Sequence, residues 1–165
     1  RTIPNFPKQG IMFRDITSTL KNADAMKKSI DYMVEVFRNE KIDYIVGLES
    51  RGFTFGMPMA YLMNVGFIPI RKPNKLPSKT LKESYELEYG TDSLEMHEDA
   101  LRPGDNVLII DDLLATGGTT LAVFKLIEKL QGEVVGADFI IELEMLKGRE
   151  KLKGYEIYSL IKYNI

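Results

Sequence analysis

The chain has 165 residues, the size of one ordinary domain, with 44% hydrophobic and 28% charged residues, a globular balance rather than a disordered one. Lysine and arginine number 22 against 24 aspartates and glutamates, a net charge of −2, which argues against a protein that coats DNA or RNA. No cysteine and a single histidine, His97, exclude disulfides, thiol catalysis, thiolate metal sites and multi-histidine metal sites.

Residues 1–20 read as irregular, broken by Pro4, Pro7 and Gly10. Residues 24–40 predict a helix, because Met26, Ile30, Met33, Val34 and Phe37 recur at spacings of three and four. Residues 43–48 (DYIVGL) are a short apolar run suited to a buried strand. Residues 53–63 predict a helix and 66–70 the next strand. A long polar stretch, 72–100, follows. The turn Arg102-Pro103-Gly104-Asp105 then leads into a buried strand at 106–110 (NVLII). Residues 117–130 predict a helix, 133–142 a strand, 147–152 at most a short helix, and 156–161 a last strand. Strands alternating with helices predict an α/β fold with a mostly parallel central sheet and helices on both faces. Ligands of such folds bind at the carboxyl ends of the strands. No apolar run approaches the ~18–20 residues that span a bilayer, and no secretory signal is visible, so a cytoplasmic protein without a membrane partner is expected. The chain begins at Arg1 without a methionine, which leaves room for a preceding piece.

Residues 107–120 read VLIIDDLLATGGTT. An apolar strand ends in Asp111 and Asp112, followed by a small, hydroxyl-rich loop and a helix. Gly117 and Gly118 let backbone N–H groups approach an anion closely, and Thr116, Thr119 and Thr120 add hydroxyl donors. The helix behind supplies unpaired N–H groups and a favourable dipole end. The two acids cannot bind a phosphate, but suit sugar hydroxyls or water around a magnesium ion. A phosphate cradle beside a diol site implies a ribose phosphate. The competing reading is a strand-to-helix turn in which Thr and Gly only cap a helix, and the adjacent Asp-Asp weighs against it. No Gly-Lys-Ser/Thr and no G-x-G-x-x-G occurs, so the loop is neither a nucleotide P-loop nor a dinucleotide fingerprint.

This stretch resembles the signature with which type I phosphoribosyltransferases bind 5-phosphoribosyl-1-pyrophosphate (PRPP). Within that family, further stretches resemble the adenine-specific branch: 6–20 (FPKQGIMFRDITSTL), 47–56 (GLESRGFTFG), 70–80 (IRKPNKLPSKT), 84–90 (SYELEYG) and 146–152 (LKGREKL). The resemblance implies a single type I phosphoribosyltransferase domain over 1–165, with residues 1–20 as a purine-covering arm and 72–100 as a flexible lid and basic loop. The implied reaction joins adenine and PRPP into AMP and pyrophosphate, with magnesium as the cofactor.

The resemblance also implies the roles. Asp111 and Asp112 would hold the ribose, with Ala115, Thr116, Gly117, Gly118 and Thr119 around the 5′-phosphate. Ser50, Arg51 and Gly52 would cradle pyrophosphate, around a cis peptide at Glu49–Ser50. Arg71, Lys72, Lys75 and Tyr89 would complete the pyrophosphate site. Phe13 would stack on adenine while backbone groups of Met12 and Arg14 read its edge, with Leu143 as a weaker candidate for the opposite wall. Glu88 would handle a purine proton, and Arg51 would stabilise the leaving group. No dedicated protein ligand for magnesium is implied; the ion would be held by PRPP and water near Asp111 and Asp112. A homodimer with the 72–100 segment at its interface is implied as well.

Charge patterning offers plainer readings for part of this. Residues 71–82 carry five positive side chains and no acid, whereas 83–99 carry seven acids and no lysine or arginine. Two solvated faces of one hairpin would explain Lys79, Lys82, Glu95, Glu98 and Asp99, and His97 reads as a surface residue. The remaining alternatives are a xanthine or guanine phosphoribosyltransferase and a non-catalytic PRPP-sensing regulator, although a regulator needs a DNA-binding partner domain and an excess of basic residues.

Overall fold

The computed structural model describes residues 1–86 and 90–164. Its strands are β1 (Thr2–Pro4), β2 (Met12–Arg14), β3 (Tyr44–Leu48), β4 (Gly66–Ile70), β5 (Thr80–Glu86), β6 (Thr91–His97), β7 (Asn106–Leu114), β8 (Glu133–Leu143) and β9 (Ile157–Tyr163). Its helices are α1 (Thr17–Lys21), α2 (Ala23–Val36), α3 (Arg51–Met63), α4 (Gly118–Lys129) and α5 (Gly148–Lys151), with a single 3-10 turn at Glu144–Leu146. Five strands form one parallel sheet in the order β4-β3-β7-β8-β9. The predicted α/β class and parallel sheet are borne out.

Each sheet face is sealed by helices, and on one of them the stripe is that which the sequence periodicity marks in α2. Ile30 and Met33 of α2, with Phe37 just beyond it, pack with Phe55 and Met59 of α3 against Ile45, Leu108 and Ile110. On the other face Val123, Phe124 and Ile127 of α4 pack against Val46, Ile109 and Phe139. Phe55 and Phe124 are wholly buried, and burial of such a side chain stabilises by about 1.5–3 kcal/mol. Helix α2 starts at an Asn22 cap, whose side chain accepts the Ala25 N–H at 2.9 Å. It ends at Val36, short of the predicted residue 40.

Two segments depart from expectation. Residues 1–20 are not irregular throughout: β1 and β2 pair antiparallel, and α1 follows. Within 72–100, β5 and β6 form an antiparallel hairpin. Leu94 and Met96 of β6 enter the core under α4, so this hairpin is more than a solvated ribbon. Glu95 is buried and accepts the Asn74 N–H at 3.1 Å, contrary to its expected solvated position. His97 is only half-exposed, and its Nε2 is buried with no hydrogen-bond partner among the described residues. Among the described residues no helix is long and apolar enough to cross a membrane.

Candidate active site

Strands β3 and β7 lie side by side, and each feeds a helix at its carboxyl end. From β3 the chain passes to β4 on one side; from β7 it passes to β8 on the other. This reversal of winding leaves a crevice between the two turns, where α/β folds bind ligands. The N-termini of α3 and α4 both open there, supplying free N–H groups and positive dipole ends.

The first turn carries Glu49, Ser50, Arg51 and Gly52. The Glu49–Ser50 peptide is cis, at the position the resemblance implied. Arg51 and Gly52 are already in the first turn of α3, rather than in a loop ahead of a helix starting at Phe53. At Gly52 a Cβ would lie 2.7 Å from the Ile110 carbonyl oxygen and 3.1 Å from Asp111 Oδ1. Only glycine lets the helix end sit this close to the acids of β7.

Those acids lie inside β7 rather than beyond it, because the ladder with β8 continues to Leu114. Asp111 Oδ1 accepts the Asp112 N–H at 2.9 Å, and Asp112 Oδ2 meets Arg51 Nε at 3.0 Å. Burial pushes the Asp111 carboxyl well up, and the Asp112 charge adds to this. Burial raises Asp112 too, against the opposing pull of Arg51. Two carboxylates this close need a cation or several hydroxyl donors to stay ionised, and a ribose diol supplies such donors. The Arg51 guanidinium also lies 5.7 Å from the centroid of the Phe13 ring. One side chain thus spans the aromatic arm and the diacid.

The second turn carries Ala115, Thr116 and Gly117, with Gly118 and Thr119 opening α4. Gly117 has φ +78°, and a Cβ there would stand 2.6 Å from the Gly148 carbonyl oxygen. No side chain caps α4. Thr116 is exposed and Thr119 half-buried, but Thr120 is 3% exposed, which removes it from the hydroxyl donors open to a ligand. A cavity of about 480 Å³ touches this turn at Gly118 and extends between β5 and α4 to Lys125 and Lys151. Neither Asp111 nor Arg51 lines it.

Two of the expected pyrophosphate cations, Arg71 and Lys72, are already paired. Arg71 Nε donates to Glu49 Oε2 at 3.0 Å, and the Lys72 backbone N–H donates to the same oxygen at 3.0 Å. Burial pushes the Glu49 carboxyl up, but the Lys72 N–H and Arg71 outweigh it and hold the carboxyl below its ordinary value. Lys72 Nζ bonds Asp92 and, at 2.7 Å, Tyr85 Oη. Burial pulls the Lys72 ammonium down, while Asp92 and Tyr85 more than restore it. Lys75 is exposed, and its carbonyl accepts Arg71 Nη1 at 3.3 Å. Glu88 and Tyr89 lie outside the described residues.

In the arm, Met12 is half-exposed and the Phe13 ring meets Phe6 edge-on at 5.1 Å. The Arg14 guanidinium lies 4.0 Å over the Tyr163 ring, and Tyr163 pairs in register with Leu143. Tyr163 therefore links the arm to the strand end expected to form the opposite wall. Next along the chain, Asp15 bonds Thr17 and Arg1, which together draw its carboxyl down to about 2. Sequence reasoning missed Glu49, Tyr85, Asp92 and Tyr163, because each acts on a residue more than ten positions away.

The model of the phosphoribosyl transferase domain matches residues 16–157. The chain belongs to the phosphoribosyltransferase family. This phosphoribosyltransferase is 58% identical to the adenine phosphoribosyltransferase of Brachyspira hyodysenteriae, over 99% of this chain and 96% of that protein. The crystal structure of adenine phosphoribosyltransferase from Thermoanaerobacter pseudethanolicus matches with a TM-score of 0.96 at 55% identity, over 99% of this chain and 95% of that one. The enzyme from Saccharomyces cerevisiae, complexed with an imino-altritol bisphosphate and adenine, matches with a TM-score of 0.91 at 44% identity, over 97% and 93% of the two chains. The resemblance read from the sequence motifs is borne out.

Proposed function

We propose that the protein is an adenine phosphoribosyltransferase of purine salvage, converting adenine and PRPP to AMP and pyrophosphate. The observation that carries this reading is the position of Arg51, 3.0 Å from Asp112 and 5.7 Å from the Phe13 ring centroid. It joins a base site, a ribose site and a leaving-group site in one crevice. Adenine N9 forms a bond to the ribose C1′ as the C1′–O bond to pyrophosphate breaks. The electron pair leaves with pyrophosphate, and the N9 proton is released.

Catalysis here is positioning and charge stabilisation, with no enzyme nucleophile. Residues 115–119 anchor the 5′-phosphate, and Asp111 and Asp112 hold the ribose hydroxyls near the developing positive charge. Arg51, Arg71, Lys72 and Lys75 receive the pyrophosphate together with Ser50, Gly52 and Tyr89. Phe13 stacks on the base, backbone groups of Met12 and Arg14 read its edge, and Leu143 closes the far side. Glu88 handles the purine proton under the lid.

Among the described residues no cluster of three or more acidic or histidine side chains could hold a metal. The chemistry of the Asp111–Asp112 pair fits a hydrated magnesium ion, which these carboxylates would hold alongside PRPP. That ion, when bound, supplies positive charge to the pyrophosphate oxygens. We further propose a cytoplasmic homodimer, on the strength of the family resemblance.

Competition among purines tests the base assignment. Adenine N6 donates and N1 accepts, so one backbone carbonyl and one N–H read it, whereas guanine, hypoxanthine and xanthine present the wrong group at position 6. The site should favour adenine by ~10⁴-fold in kcat/KM, as buried polar groups left unpaired would require. Equal use of guanine or xanthine would move the protein to the other purine branch, and no turnover of any purine would favour a PRPP-sensing regulator. Glu88→Gln should lower kcat more than it weakens PRPP binding; unchanged turnover would remove its role.

A further inference from the structure

The motif at 146–152 (LKGREKL) has no part in the chemistry above, yet its packing is specific. Glu142, near the end of β8, is 3% exposed. Arg149 Nε donates to both its carboxylate oxygens, at 2.7 and 3.0 Å, and Nη2 adds a bond of 2.9 Å. Ser159 of β9 donates its hydroxyl to Glu142 Oε2 at 2.7 Å, and Arg149 Nη1 donates to the Ile157 carbonyl at 2.6 Å. Burial pushes the Glu142 carboxyl up, but Arg149 and Ser159 reverse this and hold it below its ordinary value. An ion pair with one buried partner is weak evidence for net stability, which leaves a role in fixing local geometry to be tested.

The geometry fixed is that of the neighbouring residue, Gly148. A Cβ at Gly148 would stand 2.3 Å from the Ala115 carbonyl oxygen, and one at Gly117 would stand 2.6 Å from the Gly148 carbonyl oxygen. Backbone therefore lies on backbone in both directions, with no side chain between to absorb a displacement. The turn that would hold the 5′-phosphate is backed by Gly148, and Gly148 is held by the next residue's clasp on β8 and β9.

We propose that the Glu142–Arg149–Ser159 clasp is a positioning device for the 5′-phosphate of PRPP, acting through Gly148 on residues 115–117. This rests on reading that turn as the phosphate site. None of the three residues needs to touch the substrate. A displaced turn loses its aligned N–H groups, so the loss falls on phosphate affinity rather than on adenine.

The test compares wild type with Arg149→Lys, Ser159→Ala and Gly148→Ala, using steady-state kinetics and calorimetric binding of ribose 5-phosphate. Arg149→Lys and Gly148→Ala should raise KM for PRPP about tenfold and weaken ribose 5-phosphate by the same factor, with KM for adenine within about twofold. Ser159→Ala should move the same two quantities in the same direction by less. A clasp that only supports folding would lower kcat with both KM values unchanged, and that result overturns the proposal, as does an equal rise in both KM values. If Arg149→Lys fails to fold, the Ser159→Ala and Gly148→Ala results decide alone. If wild type itself fails to bind ribose 5-phosphate, the phosphate-site reading falls and the clasp falls with it; if wild type binds and the variants bind equally well, the clasp alone falls.

Discussion

Residues 49–52 and 115–118 both join a buried strand to the N-terminus of a helix in one crevice, but they are furnished differently. The second turn is backbone and small side chains, with Gly117 at φ +78° pressed against Gly148. Its N–H groups are set before any ligand arrives. The first turn presents Arg51, and the neighbouring basic loop presents Arg71 and Lys72, all three already bound to Asp112, Glu49 and Asp92. On the proposed assignment, an incoming phosphate would meet a finished cradle, whereas an incoming pyrophosphate would have to take cations away from carboxylates. Fixed dipoles bind at no reorganisation cost, while exchanged ion pairs bind weakly and release easily. That suits a site that must hold one end of its substrate and expel the other as a leaving group.

The contrast can be broken at four points. Gly117→Ala adds a Cβ where the backbone of Gly148 stands, and should lower kcat/KM for PRPP by about 100-fold or more; a loss under fivefold would show that the turn adapts rather than waits. Arg51→Gln removes the charge and shortens the side chain, and should lower kcat/KM about 30-fold, as expected for loss of a charge-assisted contact. A rise confined to KM for adenine would instead place Arg51 with the base alone. Lys72 and Asp92 should act in opposite directions: Lys72→Ala raises KM for PRPP about threefold, while Asp92→Asn frees the lysine and lowers KM by a similar factor. Both shifts should shrink in high salt, and a rise in KM for both variants would contradict partner exchange.

The smallest effect on activity belongs to Asp138, which pairs in register with Ile110 of β7, next to the diacid. Burial pushes its carboxyl from 3.8 to about 7, and its Oδ2 has no partner among the described residues. The folded protein therefore holds a proton there that the unfolded chain releases. This contribution to stability is full below pH 3.8, declines as pH rises to about 7, and is gone above. Thermal melts should show Asp138→Asn flattening that decline and exceeding wild type above pH 8, with kinetics unchanged. Parallel pH–stability curves would show that the buried acid titrates normally.

Legibility followed locality. Strands β3 and β7 are buried on both faces, so they stood out as continuous apolar runs. The phosphate turn was legible because its backbone geometry is dictated by adjacent glycines and threonines. The β1–β2 hairpin was not, since three-residue strands interrupted by Pro4 leave no alternation to read. β7 ran past its apolar stretch through both acids because β8 pairs with it there, and no local signal carries that. β6 reads as acidic, yet α4 covers its Leu94 and Met96. The Arg71–Glu49 and Lys72–Asp92 pairs join residues 22 and 20 positions apart, so charge counting found the cations but not their partners. Arg149 of the clasp sat in a recognised motif, but its proposed role required the contact between Gly148 and Ala115.

The most direct test is product formation by the purified protein with adenine, PRPP and magnesium. The account predicts AMP and pyrophosphate in equal amounts, both dependent on adenine. Pyrophosphate released without AMP, or no reaction while PRPP still binds, would contradict it.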